Sequence, residues 1–321
     1  MKLSLIIPVL NEEANVKTLV QAVDTAFSGA RDIELELVFV DDGSRDGTFA
    51  LLAEQSGRDP RIHVVRLSRN FGSHAALLAG FEHCGGDAAA YLAADLQDPP
   101  ETIREMVERW RSGSLVVWGQ RQQRDDPPAN KLFALLYYRL MRRFALPDMP
   151  RGGLDICLID RKVINAIVAM REKNTAIFGL ILWAGFPQTF VPYERKERQR
   201  GRSRWTLAKK IKLVVDSFVA FSFFPIRLVT YLGGIFSMLG FAYGIFTILR
   251  VLLSGSPVQG WPTLVTLIVT LSGVQLLMLG IVAEYLWRTF DEARGRPPYL
   301  VRDLVGFTDG SRPAFPRASN P

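Results

Sequence analysis

Asp95-Leu96-Gln97-Asp98 concentrates more reactive chemistry than any other stretch of the chain. Two carboxylates and an amide follow an apolar run, Ala88 to Ala94, that reads as a buried strand. Pro99-Pro100 then ends the extended segment and presets the first turn of a helix over 101–111. Oxygen donors are thereby held at the carboxyl end of a strand, the edge where open α/β sheets bind ligands. Hard donors of this kind suit Mg²⁺ or Mn²⁺ carrying a diphosphate. In isolation the same residues would serve as an acidic turn capping a helix, so the surrounding elements decide the reading.

Those elements alternate. Leu3 to Val9 reads as a buried strand, and Asn11-Glu12-Glu13 opens a helix through about Phe27. The early apolar stretch is short, contains Pro8 and meets acidic residues rather than a small-residue cleavage site, so a strand is expected and not a signal peptide. Glu34 to Val40 is a second strand, closed by Asp41-Asp42-Gly43-Ser44. Helix 46–56, strand 62–67, helix 73–84, strand 88–94, helix 101–111 and strand Leu115 to Trp118 follow. Strands and helices at this spacing predict parallel βαβ units in a doubly wound sheet. Polar clusters follow three strands, at Asn11-Glu12, Asp41-Asp42 and Asp95-Gln97, which suggests a nucleotide site along one rim. No Gly-x-Gly-x-x-Gly or Walker loop is present, which disfavours a dinucleotide or P-loop site. Beyond them, 127–145 reads as a helix with an aromatic stripe (Phe133, Tyr137, Tyr138, Phe144). Gly152-Gly153-Leu154-Asp155 turns into a strand from Ile156 to Ile159, a helix starts at Arg161, and Phe190 to Tyr193 is a last strand.

The totals point to a membrane. Apolar residues make up 48% of 321, and mean hydropathy is positive. The net charge is +7, and the nine Lys/Arg against two Glu between Glu194 and Lys212 account for all of it. One basic block beside apolar segments fits a membrane surface or a phosphate-bearing ligand better than nucleic acid. Trp205 to Phe224 mixes Lys209, Lys210 and Lys212 with Leu213, Phe218, Phe221 and Phe223, the pattern of an interfacial amphipathic helix. Leu228 to Leu249 carries no charge over 22 residues, roughly 33 Å of helix and enough to cross a bilayer. A second span is expected over about Thr263 to Ala283, after breakers at Gly255, Pro257, Gly260 and Pro262. Lys and Arg flank the outer ends of both spans, so the positive-inside rule places both chain ends in the cytoplasm, with the catalytic domain at the inner or plasma membrane. Gly233-Gly234, Gly240 and Gly244 allow close helix packing, in a homo-oligomer or within the pair. Cys84 and Cys157 lack metal-ligand spacing and read as buried free thiols.

Taken in order, these motifs resemble a family-2 glycosyltransferase of GT-A fold, and more narrowly the polyprenyl-phosphate glycosyltransferases that include dolichol-phosphate mannose synthase and the bactoprenol glucosyltransferases. The likeness runs from Ile6 to about Val301. It rests on Pro8-Val9-Leu10-Asn11-Glu12, Val40-Asp41-Asp42-Gly43-Ser44, Arg69-Asn70-Phe71-Gly72, Asp95-Leu96-Gln97-Asp98-Pro99-Pro100 and Asp160-Arg161. It continues with Arg198-x-x-Gly201-x-Ser203-Arg204-Trp205, Glu284-Tyr285 and Arg294-Gly295-Arg296-Pro297-Pro298-Tyr299.

The resemblance implies roles. Pro8, Leu10, Asn11 and Glu12 would hold the donor's nucleoside, with Asp41 and Asp42 near base and ribose. Asp95 and Gln97 would bind the cation, Ala94 and Arg121 would touch the donor, and Arg198 and Arg204 would close over the phosphates. Arg204 stands where the family usually has Lys, which keeps the charge and changes the hydrogen-bond geometry. Asp155 would lie near the acceptor as a base or an orienting group. Ala93 replaces the first carboxylate of the family's usual Asp-Ala-Asp, so a cation would lean on Asp95, Gln97, diphosphate and water. The implied reaction is inverting transfer of a sugar from a UDP- or GDP-linked donor to polyprenyl phosphate. Two alternatives remain: a membrane scaffold that binds nucleotide sugar without turnover, and a processive polysaccharide synthase. Gln199 lies too far from Arg204-Trp205 to form that synthase's Gln-x-x-Arg-Trp motif. The expected division is 1–204 catalytic domain, 205–226 interfacial helix, 227–287 two spans and 288–321 cytoplasmic tail.

Overall fold

Apolar stretches alternating with amphipathic ones build one eight-stranded sheet and one helical hairpin. The computed structural model describes residues 1–122, 128–150, 154, 156–170, 172, 176–195, 214, 217–254 and 260–307. Contacts divide the chain into two units, Met1–Asp216 with Pro297–Pro321, and Ser217–Arg296. In the first unit the order is β1 (Lys2–Val9), α1 (Glu13–Ala26), β2 (Glu34–Asp41), α2 (Thr48–Arg58), β3 (Ile62–Leu67), α3 (Ser73–His83), β4 (Ala88–Tyr91) and α4 (Pro100–Arg111). There follow β5 (Val116–Arg121), α5 (Pro128–Phe144), β6 (Ile156–Asp160), α6 (Arg161–Met170), α7 (Ile177–Trp183), β7 (Gln188–Tyr193) and, after the hairpin, β8 (Val301–Val305). The sheet order is β7-β5-β6-β4-β1-β2-β3-β8.

Helices on both faces explain the uninterrupted apolar strands. Leu3, Leu5, Ile7, Leu37 and Phe39 share a core with Val16, Leu19 and Val23 of α1 and Ile103 and Met106 of α4. Ile6 and Val40 face the other way, against α3, where a Cβ on Gly80 would come within 2.1 Å of Ile6 Cγ2. Each such fully buried aliphatic side chain contributes about 1.5–3 kcal/mol. Buried positions in α1 recur every three or four residues, which is why that segment is helical and docks on one face. Pro100 occupies the first turn of α4 as expected, and Arg109 and Arg111 lie in its last turn, where they complement the helix dipole.

The expected parallel βαβ units are present, and antiparallel strands are added to them. β1 pairs in parallel with β2 and β4, and β2 with β3. β6, however, is inserted antiparallel between β4 and β5, and β8 is antiparallel to β3. Because β6 runs opposite to both neighbours, β4 and β5 still point the same way. The carboxyl ends of β1 to β5 and β7 therefore share one rim.

Two boundaries also move. β4 stops at Tyr91 instead of Ala94, although Leu92 still donates to Ile6 O at 3.0 Å. Within the stretch read as a tail from 288, the first residues to Ala293 continue the preceding helix, and Val301–Val305 pairs with β3. Tyr299 is buried with its hydroxyl bonded to Glu82, Ser68 N donates to Leu300 O, and the Phe307 ring lies 4.9 Å from that of His63. The interfacial helix expected over 205–226 falls largely outside the described residues. Both thiols are buried, and burial pushes that of Cys157 up to about 12, as inert core cysteines require.

The second unit holds α8 (Phe224–Ser254) and α9 (Trp261–Ala293). Both exceed the spans expected over 228–249 and 263–283, and both are long and apolar enough to cross a membrane. The α9 helix continues past Ala283 because its first charges are spaced for a turn: Arg288 pairs with Glu284 at 2.9 Å. Tyr285 donates to Ser222 O at 3.0 Å, and a Cβ on Gly233 would lie 3.0 Å from Met278 Cε.

Candidate active site

Three loops interlock where β1, β2 and β3 end. Asn11 takes up a left-handed conformation (φ 54°), which Asn tolerates. Its amide donates to Ser44 Oγ at 2.9 Å and its side-chain oxygen accepts from Arg45 N at 2.8 Å. Glu12 N donates to Thr48 Oγ1 at 3.0 Å, and Gly47 N donates to the Glu13 carboxylate at 3.1 Å. The turn after β1 is thus laced to the turn after β2. Asp42 N in turn donates to Val9 O at 3.0 Å.

The two aspartates expected near the nucleoside carry structural bonds. Asp41 is fully buried, accepts from Ser44 N at 2.8 Å and lies 3.5 Å from Arg66 Nε. Arg66 sits over the Phe49 ring and reaches Asp303 of β8 at 3.4 Å. Asp42 is 4% exposed and accepts from Phe71 N at 2.7 Å and Gly72 N at 3.0 Å, which fixes the turn that starts α3. Burial pushes the Asp42 carboxyl up, only partly offset by those two amides. Gly43 allows this close approach: its φ is +75°, and a Cβ would lie 2.6 Å from the Arg69 carbonyl carbon. Pro8 and Leu10 are half-buried at the end of β1, on the same rim.

On the other flank of β1, the chain leaves β4 toward Asp95. Leu96 has φ 58°, uncommon for a branched residue, and Asp95 Oδ1 accepts from Gln97 N at 3.3 Å. Asp95 and Gln97 are half-buried in this turn. Their oxygens are of the hard type that Mg²⁺ or Mn²⁺ takes, and Mg²⁺ sites commonly combine one or two protein ligands with substrate phosphate and water. Among the described residues no three His, Cys, Asp or Glu side chains converge as a ligand set. The donor set fits a diphosphate-borne cation and not a cage made wholly of protein. Ala94 is buried in the core.

Arg121 ends β5 half-buried, in register with Tyr193 of β7. The rim therefore brings together Pro8, Leu10, Asn11, Glu12, Asp41 and Asp42 on one side of β1. Ala94, Asp95, Gln97 and Arg121 lie on the other. Asp155, Arg198 and Arg204 lie outside the described residues. Ile156, the first residue of β6, lies opposite Gly119 of β5.

Sequence reasoning grouped Asp98 with the oxygen donors at this strand end and gave it no role of its own. It is 2% exposed, accepts from Tyr193 Oη at 2.8 Å and lies 3.4 Å from Arg195 Nε. The available signal was only a second carboxylate directly after Gln97; its burial and its partners come from residues far along the chain.

Comparisons with known proteins add to this geometry. The family model described as glycosyl transferase family 2 matches residues 4–168. A second, described as the GtrB C-terminal hairpin, matches residues 224–288. An uncharacterized glycosyltransferase of Synechocystis is 39% identical over 95% of this chain and 96% of its own. The bactoprenol glucosyl transferase of Shigella phage SfV is 34% identical over 94% of this chain and 99% of its own. A prophage bactoprenol glucosyl transferase homolog of Escherichia coli matches at 34% with the same coverage.

Proposed function

The chain belongs to glycosyl transferase family 2 and is a hexosyltransferase, and from that premise we propose that it moves a sugar from a UDP- or GDP-linked donor onto polyprenyl phosphate at the cytoplasmic face of a membrane, with inversion at the anomeric carbon. The observation that carries this reading is similarity to bactoprenol glucosyl transferases over 94% of the chain, hairpin included. The hairpin lies in the chain between β7 and β8, two strands of one sheet, which supports a reading with two crossings and both chain ends on one side. Lys209, Lys210, Lys212 and Arg227 before the hairpin, with Arg288, Arg294 and Arg296 at its end, support a cytoplasmic side.

In the proposed reaction the bond from the anomeric carbon to the donor diphosphate breaks as an oxygen of the acceptor phosphate attacks from the opposite face. A phosphate monoester has a second pKa near 6, so the acceptor is largely dianionic at neutral pH and loses no proton on attack. Little general-base assistance is then required, and positioning and charge neutralisation carry the rate. Asp95 and Gln97 would hold a divalent cation, which supplies charge neutralisation to the departing nucleoside diphosphate. Arg121, Arg198 and Arg204 add fixed positive charge around the phosphates. The interlocked turns of Asn11, Asp41, Asp42 and Ser44 give the nucleoside side a rigid wall. Asp155 orients the acceptor or accepts a residual proton.

Transfer of labelled sugar to a short-chain polyprenyl phosphate tests the assignment. Asp95→Ala is expected to lose at least 10²–10³-fold in rate, whereas Asp155→Asn keeps a measurable remainder. Full activity in Asp95→Ala would end the role given to that carboxylate. Tight donor binding by the wild type with no product would favour a scaffold instead.

A further inference from the structure

Asp98 occupies a position where a carboxylate is costly unless it is tied down, because burying an ionised group away from water carries a penalty of several kcal/mol. It is 2% exposed, one residue beyond Gln97. Two partners come from β7 and the residues that follow it. Tyr193, the last residue of β7, donates its hydroxyl at 2.8 Å, and Arg195, the first cation of the basic block, brings Nε to 3.4 Å. The turn that Asp98 follows holds Leu96 at φ 58°. A side chain with a Cβ in that region persists only where its surroundings impose it. On the amino side the turn is continuous with β4, which pairs with β1. On the carboxyl side its fixed points are Asp98 and the rigid Pro99-Pro100 start of α4.

We propose that Asp98 is a positioning residue that ties the Asp95–Gln97 turn to Tyr193 and Arg195, and so sets the spacing between the cation-holding oxygens and the Arg195 guanidinium. The inference rests on the proposed donor chemistry, and it assigns a task to a carboxylate that need not touch donor or cation. Asp98→Asn keeps an oxygen that accepts from Tyr193 and removes the charge facing Arg195. Tyr193→Phe keeps the charge and removes the hydroxyl. Trp110→Phe is the control. It deletes another single bond to a carboxylate, Trp110 Nε1 to Asp160 at 2.9 Å, from the last turn of the same α4 helix.

The test uses the full-length protein in lipid nanodiscs, with calorimetric titration of UDP and of GDP at a series of Mn²⁺ concentrations. Thermal midpoints and sugar transfer are measured in parallel. Loss of a group that orients a metal ligand commonly weakens metal affinity about tenfold to hundredfold. Asp98→Asn is expected to raise the Mn²⁺ needed for half-maximal nucleotide binding by that amount, and Tyr193→Phe by several-fold in the same direction. Trp110→Phe is expected to lower the thermal midpoint and leave the Mn²⁺ requirement at the wild-type value. Wild-type Mn²⁺ dependence in Asp98→Asn, or a shift no larger than that of Trp110→Phe, would overturn the assignment. Should Asp98→Asn not fold, Tyr193→Phe decides alone: an unchanged Mn²⁺ requirement overturns it. Absence of sugar transfer by the wild type counts against the proposed function instead, since the titrations read nucleotide and cation binding without turnover.

Discussion

The sheet unit and the hairpin unit use the same apolar residue types and expose them in opposite ways. In the sheet, Leu5, Ile6, Ile7 and Phe39 are completely buried. In the hairpin, Phe241 is 74% exposed and Leu253 84%. A water-soluble domain does not leave so long an apolar surface uncovered. The difference agrees with the proposal of a membrane-associated hairpin, since α8 and α9 are long and apolar enough to cross a membrane.

That contrast can be broken by single substitutions. The largest effect is expected from lysine at matched apolar sites. Leu5→Lys places an unpaired charge in the sheet core and should abolish cooperative unfolding by circular dichroism. Phe241→Lys should leave the sheet unit folded while weakening membrane insertion by about 2.5–3.5 kcal/mol, read as loss from the carbonate-resistant membrane fraction. Equal damage to the sheet from both would contradict separate roles for the two units. Truncation gives a smaller version of the same comparison. Leu5→Ala should cost about 2–5 kcal/mol in denaturant unfolding of the sheet unit. Phe241→Ala should change that transition by less than about 0.5 kcal/mol.

The smallest effect sharpens the picture at the rim opposite the site. Glu36 is buried among Lys2, Ser4 and the Gly85 amide. Burial alone would raise its carboxyl, but those three bonds outweigh it and hold it below the ordinary value of 4.5. A lowered acid stabilises the fold when ionised. This contribution is present above the unfolded value and is lost as pH falls through 4.5 and then through the lower folded value. Glu36→Gln should therefore cost about 1–2 kcal/mol at pH 7, and the gap to wild type should narrow in unfolding curves taken below pH 4.5. A gap that widens on acidification would reverse the sign.

How much of this was legible in sequence depends on the range of the interaction concerned. The rim could be read because its signal is local: an apolar strand that breaks into Asn11-Glu12, Asp41-Asp42 or Asp95-Gln97 announces its own polar end. Pro99-Pro100 likewise fixed the start of α4. Strand direction could not be read, since nothing within Ile156 to Asp160 says whether its neighbours run with it or against it. β8 was missed because Val301-Arg302-Asp303-Leu304-Val305 is short, carries two charges and becomes a strand only by pairing with β3, more than two hundred residues earlier. Asp98 is the same case at the site, as its meaning comes from Tyr193, 95 residues later. Asp41 and Asp42 show the converse. Their position on the rim was evident, but their bonds to Ser44, Phe71 and Gly72 make them braces of the loops, which sequence spacing does not reveal.

Chelation during transfer tests the central proposal most directly. Full-length protein is supplied with labelled UDP- and GDP-sugars and a short-chain polyprenyl phosphate, first with EDTA and then with excess Mg²⁺ or Mn²⁺. The expected result is sugar transferred to the lipid phosphate, arrested by the chelator and restored by the divalent ion. Transfer that proceeds undiminished in EDTA, or wild-type protein that glycosylates no isoprenoid phosphate from either donor class, would contradict it.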